Sequence, residues 1–462
     1  MVHSSSRERA RPIGWLLAVI LSTAGCSGPV YFRNPPIAAT TPANGYRAEQ
    51  ALADPEQAEV AIVLSFSGGG SRASALAYGV LEELSKHRVT VRGHSRRLLD
   101  EVDLMYGVSG GAVTAAYYGA YGDRIFSDFI PGFLSVDFQW ALGREILNPV
   151  GLTRLLEPTL GRGDILAERL DRVLFKGVTF GQMKDRPRVI LGATDLSTGS
   201  RFEFTQNYFD LLCSDLSTFP VARAVAASTT LPLWLAPITV DNHGGQCGEA
   251  AAAARQALSM DDASPADQML FEDMLDFTDG KRRPFIHLVD GGLSDNLGIR
   301  GLFNMQTLAR GRSANTPRDA PIRRFVVITV NAANGMGSTI DEWPDIPSTN
   351  AVFGALVDIP MARRSRETEL LVKELERRGG RELEASGKTR ADIENYYAIN
   401  VSFRGVADTA MRRSLLSLPT TWKLSTDQIE LLRGAGAQLV RQSPDFQRLM
   451  RDIGGEPEGA TR

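Results

Sequence analysis

Three strand-like apolar stretches, each stopping at a glycine-rich turn, constrain the fold of this chain more than any other feature. Ala61-Ile62-Val63-Leu64-Ser65-Phe66 runs into Ser67-Gly68-Gly69-Gly70-Ser71-Arg72. Glu101-Val102-Asp103-Leu104-Met105-Tyr106 runs into Gly107-Val108-Ser109-Gly110-Gly111, and Leu288-Val289 runs into Asp290-Gly291-Gly292. Helix-like segments alternate with such runs, and a further apolar strand stands at Phe325-Val326-Val327-Ile328-Thr329-Val330. This alternation predicts an α/β fold with a central, mostly parallel sheet covered by helices. In such sheets ligands gather beyond the carboxyl ends of the strands, so the three turns predict one shared site at one edge.

Gly107-Val108-Ser109-Gly110-Gly111 fits a sharp strand-to-helix elbow that exposes the Ser109 oxygen. A serine hydroxyl needs a neighbouring base before it attacks a carbonyl. Histidine is the usual base, but only five are present: His3, His87, His94, His243 and His287. None follows Asp290, so the order serine, acid, histidine fails. His87 and His94 lie in basic, polar stretches and are expected at the solvated surface. His287 is expected to pack within its strand, facing away from Asp290. A Ser109–Asp290 dyad is the simplest arrangement left. Leu288, Val289 and Leu293 supply apolar neighbours that would raise the carboxyl pKa toward that of a useful base.

Acyl transfer also needs donors for a developing oxyanion. Gly68, Gly69 and Gly70 can present consecutive backbone N–H groups at a helix start, and Gly110 adds the donor after the nucleophile. A nucleotide phosphate loop is the competing reading of the triple glycine. It lacks the Gly-Lys-Ser/Thr ending, and Ala73 stands where a dinucleotide fingerprint needs glycine. Arg72 is expected to brace the loop, with binding of a substrate phosphate as the alternative.

Together the three motifs resemble the patatin-like phospholipase family over roughly residues 60 to 335. The resemblance implies a three-layer α/β sandwich in which Asp290 takes the Ser109 proton, with Gly107, Gly111, Gly291 and Gly292 shaping the turns. It departs from the family at Ser67, where an acidic residue is usual, and at Ala73, where glycine is common. Ala193-Thr194-Asp195-Leu196-Ser197-Thr198-Gly199 resembles the family's strand-turn segment, and Ala227-Ser228-Thr229-Thr230-Leu231-Pro232 its helix-to-proline corner. The implied activity is cleavage of fatty-acyl esters of phospholipids or lysophospholipids through an acyl-Ser109 intermediate, without metal or organic cofactor. An acyltransferase using the same dyad, and a non-catalytic lipid-binding envelope scaffold, stand as alternatives.

Arg7, Arg9 and Arg11 precede the apolar run from Ile13 to Leu21, which is the plan of a secretory signal. Thr23-Ala24-Gly25-Cys26 resembles a bacterial lipobox, which implies a signal peptide over 1–25, a lipidated Cys26 and a cell-envelope protein at the outer membrane, facing the periplasm. Residues 26–60 read as a proline-rich tether, 61–335 as the catalytic domain and 336–462 as an extension packed on it. With Cys26 lipidated, Cys213 and Cys247 form an even pair expected either to be bonded or to be two buried thiols.

With 43 % hydrophobic and 23 % charged residues among 462, the chain can bury a large core. A net charge of −3 argues against a nucleic-acid partner. Residues 241–284 read as a solvated acidic loop or helix, with a lid or a metal site as less favoured readings. Residues 361–384 read as an amphipathic helix whose apolar face includes Leu370, Leu371 and Leu375, with a membrane-surface role as its alternative.

Overall fold

The computed structural model describes residues 31–41, 45–52, 60–91, 93–232, 234–248, 255, 258, 265–301, 324–333, 344–386 and 395–457. In chain order its first half holds β1 (Val60–Phe66), α1 (Gly70–Ser85), β2 (His87–Val91), β3 (His94–Arg97), β4 (Val102–Val108), α2 (Gly110–Tyr121), α3 (Phe138–Leu147) and α4 (Pro149–Arg154). Next come β5 (Arg188–Asp195), β6 (Arg201–Glu203), α5 (Val221–Thr229), β7 (Ile238–Asp241), β8 (Phe285–Asp290) and α6 (Gly292–Asp295). The chain continues through β9 (Arg324–Asn331), α7 (Thr349–Ser386), β10 (Asn395–Ser402), α8 (Thr426–Gln442) and β11 (Glu456–Pro457).

The central sheet runs β10-β9-β1-β4-β5-β8-β7, with β6 also paired to β5. From β10 to β5 every pairing is parallel, whereas β8 is antiparallel to β5 and β7 is antiparallel to β8. Parallel strands covered on both faces lose the polar alternation of half-exposed strands. Accordingly β1 and β4 are buried at every position. Val60, Ile62, Leu64 and Phe66 join the larger core on one face, while Ala61 and Val63 join a smaller one with Leu104, Tyr106 and Val108 on the other. The β1–β4 register shifts by one residue at Asp103, whose Oδ2 accepts the Ile62 N–H at 2.8 Å while Oδ1 pairs with Arg186 at 2.9 Å. Burial pushes this carboxyl up to about 7 despite Arg186.

Helices α1, α2, α5 and α8 cover the face of the larger core, and α7 packs against β10 and α6 across the sheet. Ser65 donates to the Leu297 carbonyl on that second face. The result is the α/β sandwich the sequence predicts. Residues 395–457 are integral to it: β10 extends the sheet, and Arg433 of α8 pairs with Glu82 of α1 at 2.7 Å.

The tether expectation fails over the described part of residues 26–60. Tyr31 Oη donates to Asp241 at 2.9 Å, the Phe32 ring meets Phe219 edge-on at 5.4 Å, and Pro36 bridges Ser214. Tyr46 is buried, with its hydroxyl accepting the Val189 N–H at 2.7 Å, and Arg47 pairs with Asp210 at 2.7 Å. Such a segment needs no periodicity, because separate aromatic and arginine anchors each fill their own site. Cys213 and Cys247 are bonded, joining the turn after residue 211 to the loop after β7. Asp241, read as part of a solvated acidic stretch, is buried and paired with Arg33 at 3.0 Å. Cys26, residues 1–25, Asp261 and Asp262 lie outside the described residues.

Candidate active site

Ser109 forms the join between β4 and α2 with φ 50° and ψ −122°, a conformation ordinary side chains rarely adopt. It is 8 % exposed, in reach of a substrate that enters the site. Glycines on either side make the turn possible. A Cβ on Gly107 would lie 2.7 Å from the Ala112 Cα, and one on Gly111 would lie 2.6 Å from the Ser67 carbonyl oxygen. The Ser109 N–H donates to Ser228 Oγ at 2.9 Å, and Ser228 in turn donates to the Gly192 carbonyl at 2.6 Å.

Asp290 reaches the serine from the antiparallel strand. Its register partner is Ala193, next to the β5 residue that faces Val108, so the last residue of β8 arrives level with the end of β4. Ser109 Oγ donates to Asp290 Oδ2 at 2.7 Å, and Gly292 N–H donates to Oδ1 at 2.8 Å. The aspartate backbone is fixed as well: its N–H donates to Thr230 O at 2.8 Å and its carbonyl accepts from Thr194 Oγ1 at 2.8 Å. Burial pushes the carboxyl up to about 6, the Ser109 and Gly292 hydrogen bonds oppose this, and the Asp358 charge adds to it.

The glycine loop abuts the elbow. A Cβ on Gly110 would sit 2.7 Å from the Gly70 carbonyl carbon, and one on Gly68 would sit 3.2 Å from Ser109 Cβ. Gly69 and Gly70 adopt φ 137° and 60° at the start of α1, where first-turn N–H groups have no carbonyl within the helix to reach. Gly68 departs from its expected donor role. Its N–H is taken by Asn296, through Oδ1 at 3.1 Å and the carbonyl at 3.3 Å. Three donors remain on the glycine backbones around Ser109: Gly69, Gly70 and Gly110.

Arg72 turns inward from α1 and braces the loop. Nε donates to Ala332 O at 2.9 Å, Nη2 to Thr420 Oγ1 at 3.1 Å and Nη1 to Leu418 O. Burial pushes the guanidinium down to about 10, still well above neutral, while Asp358 favours its charged form. Next to it the Thr421 carbonyl accepts the Ser71 N–H at 2.8 Å. Asn296 Nδ2 donates to Ser365 Oγ on α7 at 2.9 Å, so α7 is hydrogen-bonded to the residue that holds Gly68.

Ser228, Asn296, Thr421 and Ser365 had no role in the sequence reading. Ser228 lies in a segment expected to support the fold alone. The other three carry no local signal, since their partners are far away in the chain. His87 also departs from expectation: it is buried, bonded to Glu83 at 3.0 Å, with its ring 5.1 Å from that of Phe446. His287 faces away from Asp290 as expected, but it is exposed rather than packed and bonds Thr239 at 3.1 Å. Leu370 is exposed on α7, where Ser365 and Thr368 are buried instead. Among the described residues no histidine bonds to Ser109 or Asp290, and no cluster of three metal-ligating side chains occurs.

The family model for patatin-like phospholipases matches residues 64–303, more than half of the 462. Human GIVD cytosolic phospholipase A2 is a structural match at TM-score 0.44 and 12 % identity, covering 88 % of this chain and 62 % of its own. This chain therefore spans less than two thirds of that protein's length. VipD from Legionella pneumophila matches at TM-score 0.23 and 12 % identity, covering 90 % of this chain and 73 % of its own. No curated protein sequence matches the chain.

Proposed function

The chain belongs to the patatin-like phospholipase family, and from that premise we propose that it is a serine lipid acyl hydrolase working through Ser109 and Asp290. The observation that carries the proposal is the 2.7 Å hydrogen bond from Ser109 Oγ to a carboxylate whose burial makes it a stronger base. Asp290 takes the hydroxyl proton as Oγ bonds to the ester carbonyl carbon. The carbonyl oxygen becomes an oxyanion facing the Gly69, Gly70 and Gly110 N–H groups. Loss of one such donor costs roughly 3 kcal/mol of barrier in other acyl-transfer enzymes. The tetrahedral species collapses as the C–O bond breaks, and the leaving alkoxide takes the proton from Asp290. Water then loses a proton to Asp290 and adds its oxygen to the acyl-serine. A second collapse returns that proton to Ser109 and frees the fatty acid.

Fatty-acyl esters of phospholipids and lysophospholipids are the proposed substrates, supported by the family. The basic-then-apolar leader and the small residues before Cys26 support a lipid-anchored protein of a bacterial envelope. The test uses the full-length protein in detergent with a fluorophosphonate probe and mixed phospholipid substrates. Labelling and fatty-acid release by the parent, both lost in Ser109→Ala and release lost in Asp290→Asn, is the expected result. A folded parent that neither labels nor releases fatty acid refutes the hydrolase.

A further inference from the structure

Helix α7 lies outside the residues that the family model matches, yet one of its faces runs past Asp290. Asp358, Met361, Ser365 and Glu369 follow one another at three- and four-residue steps, which places them on one side of the helix. Three of the four meet the strand ends. Asn331 at the end of β9 donates through Nδ2 to Glu369 at 2.6 Å, and Asn296 donates to Ser365 at 2.9 Å. Met361 reaches Gly292: a Cβ on that glycine would lie 2.3 Å from the Met361 Cε and 3.1 Å from Asp290 Oδ1. The methionine methyl and the Asp290 carboxylate therefore crowd the same point. Arg364 fastens this stretch by donating to the Leu293 carbonyl at 2.9 Å. Asp358 stands one turn before Met361, so the same face carries it past Gly292, and its charge acts on both Asp290 and Arg72.

A carboxylate that works without histidine must hold a proton more tightly than one in water does. Hydration and hydrogen bonds to the ionised form work against this. Asp290 already accepts one hydrogen bond on each oxygen, from Ser109 Oγ and from the Gly292 N–H. A methyl group cannot donate a hydrogen bond, so the half-buried Met361 displaces solvent at Oδ1 without replacing what the solvent would give. Asp358 adds a like charge, which disfavours ionisation of its neighbour. Among the described residues Asp358 has no hydrogen-bond or ion-pair partner of its own. The cations nearby are committed elsewhere: Arg72 to Ala332, Leu418 and Thr420, and Arg364 to Leu293.

We propose that Met361 and Asp358 are positioning residues that make Asp290 hold the Ser109 proton, an account that rests on the proposed dyad. The methionine methyl keeps water from Oδ1, and the Asp358 charge opposes a second negative charge beside it. The test follows kcat/KM of the full-length protein in detergent on a soluble short-chain ester, from acid to alkaline pH. The acid limb, where Asp290 is protonated, should move down by about one pH unit in Met361→Ala and about half a unit in Asp358→Asn. Met361→Leu restores an apolar cover and should return the limb to the parent position. A merely structural methionine would lower activity by the same factor at every pH. A limb unmoved in Met361→Ala, or moved as far in Met361→Leu, overturns the cover, and one unmoved in Asp358→Asn overturns the charge. Asp358→Asn breaks no hydrogen bond, so its arm stands even where Met361→Ala lowers the melting temperature. Infrared titration of the Asp290 carboxyl, assigned by its loss in Asp290→Asn, reads the same proton affinity without turnover. A parent that cleaves no ester refutes the hydrolase, whereas an infrared midpoint that falls in both variants upholds the role of α7 and an unmoved one overturns it.

Discussion

The Ser109 elbow and the glycine loop touch one another, yet they are held in different ways. The elbow is local: Ser109 is forced into its turn by glycines within two residues, and a single side chain, Ser228, fixes its N–H. The loop is braced from far off in sequence. Asn296 holds Gly68, Thr421 holds Ser71, and Arg72 reaches Ala332, Leu418 and Thr420. The proposed nucleophile is thus set by a short stretch of chain, whereas the proposed oxyanion donors are placed by the fold as a whole. Damage to the elbow should remove activity and spare stability, whereas damage to the brace should lower both.

The largest expected effect is on the brace. Arg72→Met would leave the two buried carbonyls of Ala332 and Leu418 without their donor, at roughly 1–3 kcal/mol each, while the exposed Thr420 hydroxyl turns to water. Loss of about 3 kcal/mol or more of unfolding free energy, read from the urea midpoint at constant slope, is the expected outcome. Ser109→Ala in the same assay should stay within about 1 kcal/mol of the parent, since it removes one hydroxyl hydrogen bond. Equal stability of the two variants would break the comparison.

How far the sequence speaks follows the same division. The runs ending at Phe66, Val108 and Asp290 are strands, and the motif glycines sit where backbones meet. Those features are short-range or depend on a residue having no side chain. Asn296, Ser365 and Thr421 act through partners 69 or more residues away, and a polar side chain carries no mark of which carbonyl or N–H it will meet. His87 illustrates the reverse error: its basic, polar neighbours suggest surface, but Phe446 of the last segment covers it. Residues 31–52 mislead in the same way, because proline and polar content hide Tyr31, Phe32, Tyr46 and Arg47, each with its own partner.

Asp290 belongs to neither half, and its protonation offers the next test. Its carboxyl sits at about 6 in the folded chain, against an unperturbed value of about 3.9. The folded state holds the extra proton between those values, so the parent gains stability as pH falls from about 6 to 4 and loses it as pH rises. Asp290→Asn removes that penalty and keeps an oxygen for the Gly292 N–H. The variant should exceed the parent by on the order of 2–3 kcal/mol at pH 8, and the gap should close near pH 4. Parent kcat/KM should fall below about pH 6, where the base is protonated. A gap independent of pH would show that the carboxyl is not held up by burial.

The smallest effects set elbow and loop side by side. Ser228→Ala leaves the Ser109 N–H and the Gly192 carbonyl without their shared partner, but touches nothing outside β5, α5 and the elbow. Asn296→Ala leaves Gly68 only its 3.3 Å bond to the carbonyl of residue 296 and also releases Ser365 of α7. At about 1 kcal/mol for each ordinary hydrogen bond, both should cost roughly tenfold in kcat. They should differ in kind. Ser228→Ala should slow fluorophosphonate labelling as much as turnover, because the nucleophile itself has drifted. Asn296→Ala should in addition speed amide exchange at Gly68 and along α7 around Ser365, because loop and helix lose the residue that joins them. Unchanged exchange there, with the same fall in kcat, would mean that α7 does not stiffen the loop. The Thr421 and Arg72 contacts alone would then place the oxyanion donors.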